Sequence, residues 1–334
     1  MRFYAVSHSP AVVPSHRRLC PLPARSLPAI PGSPVRTNFL LAERKISLGV
    51  ARNPVRSGRR PISAMASEAI SSTAAAKGKK ELLVFESEEE LSVSLAKYTA
   101  KLSEKFAQER GAFTVVLSGG SLIKSLRKLV DPPYLESVDW TKWHVFWVDE
   151  RVIPKDHADS NYKLAYDGFL SKVPIPPGQV YAINDSLSAE GAADDYEICL
   201  KQLVKTGVVA ASSATVFPKF DLMLLGMGPD GHVASLFPGH PLLNENQRWV
   251  TFIKDSPKPP PERITFTFPV INSSAYVALV VTGAGKASAV HKALGSGQSL
   301  SDMLPVEMVS LKDGKFSWFT DKAAVSLLQD RASL

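Results

Sequence analysis

Cysteine is almost absent. Two in 334 residues, Cys20 and Cys199, cannot supply a disulfide framework or a four-Cys zinc site. Cys20 falls in the leader described below, and Cys199 lies in an apolar-periodic stretch and reads as a small buried hydrophobe. Long hydrophobic runs are missing as well: no window reaches the roughly 18 uninterrupted apolar residues of a membrane-spanning helix, which excludes an integral helical membrane protein. Acidic residues are scarce in one region only. Residues 1–67 hold ten Arg and one Lys against a single acid, Glu43. The whole chain has 39 basic and 32 acidic residues, net +7, so the remainder carries 28 and 31, net −3. The positive balance that would suggest a nucleic-acid partner is therefore not on the part with a folding pattern.

That leader also holds nine Pro and nine Ser, shows no period of 2 or 3.6, and lacks the apolar core of a secretory signal. Arg-rich, Ser-rich and acid-poor composition is that of an organelle transit peptide, and the frequent Pro favours a plastid over a mitochondrial address. A disordered tail with no address is the alternative. The expected organisation is a disordered leader over 1–67, a linker over 68–79 and a folded domain over 80–330. Met65-Ala66-Ser67 offers a second start that would give a cytosolic form. The terminal Ala332-Ser333-Leu334 lacks the basic middle residue of a peroxisomal signal.

What is present, from about Lys80 onward, is an alternation of strand and helix patterns in a chain 45% hydrophobic and 21% charged. Leu82–Phe85 is a short apolar strand. Ser87 with Glu90 three residues on predicts a capping box. Leu91, Leu95, Tyr98, Leu102 and Phe106 then form one buried stripe, closed by Gly111. Strands are expected at Phe113–Leu117, Val145–Val148, Asp221–Leu225, Val250–Ile253, Ile264–Phe268 and Tyr276–Thr282. Helices are expected from about Ser121, over Asn161–Leu170, across Glu190–Val204 and near Ala287–Leu294. Val306–Val309 and Phe316–Phe319 suggest a closing hairpin. Continuous apolar strands between helices imply an α/β fold with a mostly parallel sheet covered on both faces. In such sheets ligands sit beyond the carboxyl ends of the strands.

The unusual residues fall there. Leu117-Ser118-Gly119-Gly120-Ser121 runs from a strand into glycines and a helix. Backbone N–H groups and the helix dipole could hold an anion there, or the segment could be a tight turn needing no ligand. It matches neither a Walker loop nor a dinucleotide fingerprint. Asp149-Glu150-Arg151 ends another strand and reads either as a solvated loop or as acid, base and electrophile facing a cleft. Ser160 or Asp159 caps the helix that follows. The strongest segment is Gly226-Met227-Gly228-Pro229-Asp230-Gly231-His232. A carboxylate beside an imidazole fixes its tautomer and raises its basicity, as a general base near neutral pH requires. Metal binding is disfavoured, because His232 and His240 lie eight apart across Pro238 with no ligand cluster. Arg263 and Lys286 each follow a flexible segment, and alone each reads as solvated surface.

Together these blocks resemble the 6-phosphogluconolactonases, within the wider glucosamine-6-phosphate deaminase/isomerase-like group. The resemblance runs from about Glu81 to Leu328. It is carried by Ser118-Gly119-Gly120-Ser121, Val148-Asp149-Glu150-Arg151 with Asp156 to Tyr162, Gly226 to Gly239, Arg263-Ile264-Thr265 and Gly283-Ala284-Gly285-Lys286-Ala287. It implies a NagB-type Rossmann-like fold and hydrolysis of 6-phospho-D-glucono-1,5-lactone, with no metal or organic cofactor. By position it implies that His232 activates water, that Asp230 orients it, and that Arg151 stabilises the oxyanion or binds sugar hydroxyls. Ser118, Gly119, Gly120 and Ser121 would hold the phosphate, Arg263 and Lys286 would supply charge, and Asp149 would bind or orient. The deaminases carry a carboxylate five residues after the His, where this chain has Phe237, so an isomerase or deaminase is the less favoured reading. A non-catalytic phosphosugar-binding protein is the alternative from another class. The partner is then a small phosphosugar lactone rather than nucleic acid or membrane. The oligomeric state stays open, with a monomer compatible.

Overall fold

The first helix begins where side chains can satisfy its free N–H groups. Ser87 Oγ accepts from Glu90 N at 3.2 Å, and Glu90 Oε2 accepts from Glu86 N at 3.1 Å, one residue before the position a capping box uses. Gly111 closes the helix in the left-handed region (φ 74°). The computed structural model describes residues 80–213, 215–295 and 303–329. The leader, the linker, Met65 and the terminal tripeptide lie outside the described residues.

In chain order the elements are β1 (Lys80–Phe85), α1 (Glu88–Arg110), β2 (Phe113–Leu117), α2 (Ser121–Ser125), α3 (Tyr134–Ser137), β3 (Trp143–Trp147), β4 (Asp149–Arg151), α4 (Asn161–Gly168) and α5 (Ala189–Lys205). There follow β5 (Ala210–Ala211), β6 (Pro218–Lys219), β7 (Leu222–Gly226), β8 (Val250–Ile253), β9 (Arg263–Phe266), α6 (Phe268–Asn272), β10 (Tyr276–Val281), α7 (Ala287–Leu294), β11 (Lys315–Asp321) and α8 (Ser326–Gln329). Six strands form one parallel sheet in the order β1-β11-β10-β7-β2-β3. Side chains alternate across a strand, and on β7 Leu222 and Leu224 point one way while Met223 and Leu225 point the other. All four are buried, so both faces are covered, as the continuous apolar runs require. The α1 stripe, with Leu91 and Leu95 fully buried, packs in the core cluster that includes Leu222 and Leu224.

Three expectations change. The final pair is not a hairpin: Pro305–Met308 is a turn of 3-10 helix, and β11 lies parallel between β1 and β10. Pro305 cannot donate to a ladder, and Val306 N donates instead to Gly231 O at 3.1 Å. Asp149–Arg151 is not a loop but β4, which with β9 and β8 makes a small antiparallel sheet. The helix from Ser121 ends after five residues and continues as a 3-10 turn over Arg127–Val130. Among the described residues no helix is long and apolar enough to cross a membrane.

Strand order decides where a crevice opens. From β2 the chain moves to β3 on one side, whereas β7 lies on the other, so the loops after β2 and β7 diverge between adjacent strands. Ser87→Ala removes the side-chain acceptor of Glu90 N at the start of α1 and is expected to lower stability by about 1 kcal/mol, read from the denaturant midpoint at unchanged slope.

Candidate active site

The turn after β7 carries Asp230 and His232. Gly231 takes φ 78°, and its N–H donates to Gly228 O at 3.0 Å; Gly228 N donates to His232 O at 2.9 Å. This folding back brings Asp230 Oδ1 to 2.6 Å from His232 Nδ1. A Cβ on Gly228 would fall 2.0 Å from that nitrogen and 2.5 Å from Asp230 Oδ1, so residue 228 has to be glycine for the pair to exist. The imidazole lies against Phe237, ring centroids 4.7 Å apart. Burial pushes the Asp230 carboxyl up, but the hydrogen bonds and charges of His232 and Lys258 outweigh it and hold the group well below the ordinary aspartate value.

Lys258 was not singled out in the sequence. It stands in the loop Pro257-Lys258-Pro259-Pro260-Pro261, and its ammonium lies 3.2 Å from Asp230 Oδ1 and 3.3 Å from His232 Nδ1. The signal available was a lone cation in a backbone stiffened by proline on both sides. Lys286, in the 3-10 turn after β10, is nearby: burial and the Lys258 charge lower its pKa, and Asp230 raises it. Its loop is pinned by Asp321 at the end of β11, both carboxylate oxygens of which accept from Gly283 N at 3.0 Å.

Arg263, expected as a surface cation, is buried. Its Nε donates to Pro260 O (2.9 Å), Nη2 to Lys258 O and Pro259 O (2.8 and 3.1 Å), and Nη1 to Ser235 Oγ (3.4 Å). Its guanidinium covers Phe237 at 5.7 Å. It therefore supports the loop bearing Lys258 through that loop's backbone carbonyls. Asp149 is buried too, and its Oδ2 accepts from Ser235 Oγ at 2.8 Å, which links it to Arg263 through one hydroxyl.

On the far side of the crevice Ser118 is buried, its Oγ accepting from Gly226 N at 3.2 Å, which ties the β2 loop to the mouth of β7. Gly119 sits against Asn161, where a Cβ would come 1.8 Å from Oδ1. Gly120 adopts φ 67° at the start of α2, and Ser121 is exposed. Arg151 Nη1 donates to Asp159 O at 2.5 Å, while its Nε is buried with no partner among the described residues. The structure thus brings together His232, Asp230 and Lys258 in direct contact, within electrostatic reach of Lys286. The Ser118–Ser121 turn borders the Gly226 turn, and Arg151 is held by separate contacts to Asp159.

Glu150 has a different part from the acid or base expected of this run. Its carboxylate accepts from Arg151 N, Asn161 N and Tyr162 N at 2.8, 2.8 and 2.7 Å and from Ser160 Oγ at 3.3 Å, so it caps α4 from a buried position. Ser160 Oγ also accepts from Lys163 N at 3.2 Å, the cap expected from the sequence. His240 is engaged elsewhere, with Nε2 3.3 Å from Asp255 Oδ1 and Nδ1 accepting from Leu242 N at 3.2 Å. Among the described residues no group of three or more His, Cys, Asp or Glu is placed to hold a metal ion.

A parallel sheet whose adjacent strands β2 and β7 end in glycine turns, with a carboxylate, an imidazole and a lysine in contact beyond β7, defines a Rossmann-like α/β protein. Sequence comparison makes this specific. The chain belongs to the family described as glucosamine-6-phosphate isomerases/6-phosphogluconolactonase, whose signature matches residues 86–318. It is 79% identical over 251 residues to the probable 6-phosphogluconolactonase 4, chloroplastic, of Oryza sativa, spanning 75% of this chain and 78% of that one. It is 67% identical over 250 residues to the 6-phosphogluconolactonase 3, chloroplastic, of Arabidopsis thaliana, spanning 75% and 76%. Among solved structures, the 6-phosphogluconolactonase of Thermotoga maritima is 31% identical with a TM-score of 0.60, covering 73% of this chain and 100% of that one. That of Trypanosoma brucei is 26% identical with a TM-score of 0.64, covering 75% and 99%.

Two outcomes test the site's construction. Gly228→Ala is expected to push imidazole and carboxylate apart and lower turnover of the family substrate by about 10²-fold, with the thermal midpoint changed little. Burial pushes the Glu150 carboxyl up to about 7, with Asp149 adding to it and the three N–H groups opposing. A carboxyl more basic in the folded chain stabilises it fully below the ordinary value of 4.5 and loses that contribution as pH rises through about 7. Between those limits the unmodified chain should lose stability that Glu150→Gln, lacking the titration, does not; parallel stability–pH curves would contradict this.

Proposed function

We propose that this chain hydrolyses 6-phospho-D-glucono-1,5-lactone to 6-phospho-D-gluconate, the second step of the oxidative pentose phosphate pathway, with a water molecule that His232 activates. The observation that carries the reading is the 2.6 Å contact between Asp230 and His232 at the mouth of β7. With Nδ1–H donating its hydrogen bond to the Asp230 carboxylate, Nε2 is left with the free lone pair. It takes a proton from water as the water oxygen bonds to the lactone carbonyl carbon. The tetrahedral intermediate then breaks its ring C–O bond, and the imidazolium returns the proton to the leaving ring oxygen. No metal or organic cofactor enters this sequence.

The supporting groups follow from their positions. Arg151, with its unpartnered Nε, stabilises the developing oxyanion or binds sugar hydroxyls. Gly119, Gly120 and Ser121 offer backbone and hydroxyl donors to the phosphate, with Ser118 fixing the turn and Lys286 supplying charge. Arg263 and Asp149 hold the floor. A dianionic substrate approaching a chain of net −3 beyond residue 67 needs such a local cationic pocket. Phe237, buried against the imidazole, occupies the place where the deaminases have a carboxylate, and it cannot transfer a proton. The folded domain over 80–330 acts in a plastid, in keeping with relatives named chloroplastic and with the Arg- and Ser-rich composition of residues 1–67.

The test is turnover of freshly made lactone by the full chain, coupled to glucose-6-phosphate and 6-phosphogluconate dehydrogenases, with spontaneous hydrolysis subtracted. Acceleration over background is expected. His232→Ala should cost about 10²–10⁴-fold in kcat, and full turnover by that variant would remove His232 from the mechanism. Release of ammonia from glucosamine 6-phosphate would revive the deaminase reading.

A further inference from the structure

The reaction asks two opposed things of one imidazole: to accept a proton from water, then to surrender it to the ring oxygen. A carboxylate alone serves the first and hinders the second, because it stabilises the imidazolium. The second need is met by a cation on the same side of the ring. Lys258 Nζ, 3.2 Å from Asp230 Oδ1 and 3.3 Å from His232 Nδ1, shares the carboxylate oxygen with the imidazole.

The lysine is held there by its backbone. Ser256 Oγ donates to Lys258 O at 2.8 Å and accepts from Lys258 N at 3.2 Å, and Ser256 N donates to Pro261 O at 3.2 Å. Arg263 adds its bonds to the carbonyls of Lys258, Pro259 and Pro260. A loop so fixed at both ends of its turn does not need the substrate to order it. The charged groups around the imidazole are Asp230 from its own turn, Lys258 from the proline loop and, next to both of these, Lys286 from the turn after β10. Arg263 and the imidazole both pack against the Phe237 ring, and Asp149 reaches Arg263 through Ser235 Oγ.

We propose that Lys258 is a positioning residue which, through its contacts with Asp230 and His232, keeps the imidazole unprotonated between turnovers and speeds return of its proton to the leaving ring oxygen. The proposal rests on His232 being the base. Bonds balance as in the hydrolysis itself: Lys258 neither gains nor loses a proton, and it changes only how tightly the imidazole holds one. Its place above the site, with a side chain 37% exposed, lets it be replaced without opening the core.

The experiment compares pH–rate profiles of the full chain and of Lys258→Met, Lys258→Arg, Lys286→Met and His232→Ala on fresh lactone. Removing the cation beside the imidazole should move the acid limb of kcat/KM up by about one pH unit in Lys258→Met. It should also lower kcat about tenfold on the alkaline plateau, with KM changed less than about threefold. Lys258→Arg, which keeps the charge, should return the limb to its place. Lys286→Met should raise KM and leave the limb where it was. An unmoved limb in Lys258→Met, or a raised KM at unchanged kcat, would overturn the proposal and make Lys258 a substrate-binding cation. An equal limb shift in Lys286→Met would reduce the effect to net charge and overturn it likewise. Loss of turnover in His232→Ala beside an unmoved Lys258→Met limb would sink this inference alone, whereas full turnover in His232→Ala would sink the reading beneath it.

Discussion

Everything at the mouth of this sheet depends on a carboxylate and an imidazole two residues apart being 2.6 Å from each other. Residues i and i+2 on a strand share a face but are spaced too far along it for such contact, and on a helix they point apart. The chain has to turn back on itself between them, and the turn has to be empty inside. Gly228 leaves the space, and Gly231 takes the left-handed backbone. Pressure from outside completes the turn: Leu304 lies where a Cβ on Gly231 would fall, 2.8 Å away, and Val306 N donates to Gly231 O. The 3-10 turn at Pro305–Met308 is thus the buttress of the turn after β7, which explains why a segment with a strand's composition does not pair as one.

The small antiparallel sheet has the companion task of keeping charges buried in useful places. Its register puts Arg151 opposite Arg263, an arrangement that repels unless both cations are occupied. They are, and on different partners: Arg151 with the Asp159 carbonyl, Arg263 with three loop carbonyls and the Ser235 hydroxyl. Asp149, paired with Thr265 two positions from Arg263, reaches the same Ser235 from the other side. Opposite charges linked through one hydroxyl, with Arg263's other donors on loop carbonyls, can be kept buried at reduced cost.

Periodicity and turn chemistry made most of the fold readable. The α1 stripe, the Ser87 and Ser160 caps, and the glycine-terminated strands β2 and β7 stand as read, because each is decided by a few neighbouring residues. The errors occur where distant contacts decide. Nothing local distinguishes Asp149–Arg151 as a strand, since its partner β9 lies more than a hundred residues on. Phe316–Phe319 is apolar whether it closes a hairpin or sits between β1 and β10. The site divides in the same way. Asp230 and His232 were legible as neighbours because both lie within one short turn whose glycines are visible in the sequence. Lys258 was not, because 26 residues separate it from His232 and only the folded loop joins them.

The same reasoning accounts for which cation is buried and which are left at the mouth. Holding a proline-rich loop by its backbone requires donors, because Pro259, Pro260 and Pro261 have carbonyls but no N–H groups to bond with one another. Arginine carries five donors in a planar fork, and Arg263 directs bonds to three successive carbonyls, a pattern that the single ammonium of lysine could not reproduce from one position. Those bonds commit its Nε and Nη2 to the loop. The compact charge of lysine suits the place of Lys258, whose ammonium meets both a carboxylate oxygen and an imidazole nitrogen. The cations around the turn after β7 are thus sorted by what each side chain holds: Arg263 the carbonyls of a proline loop, Lys258 a carboxylate and an imidazole nitrogen.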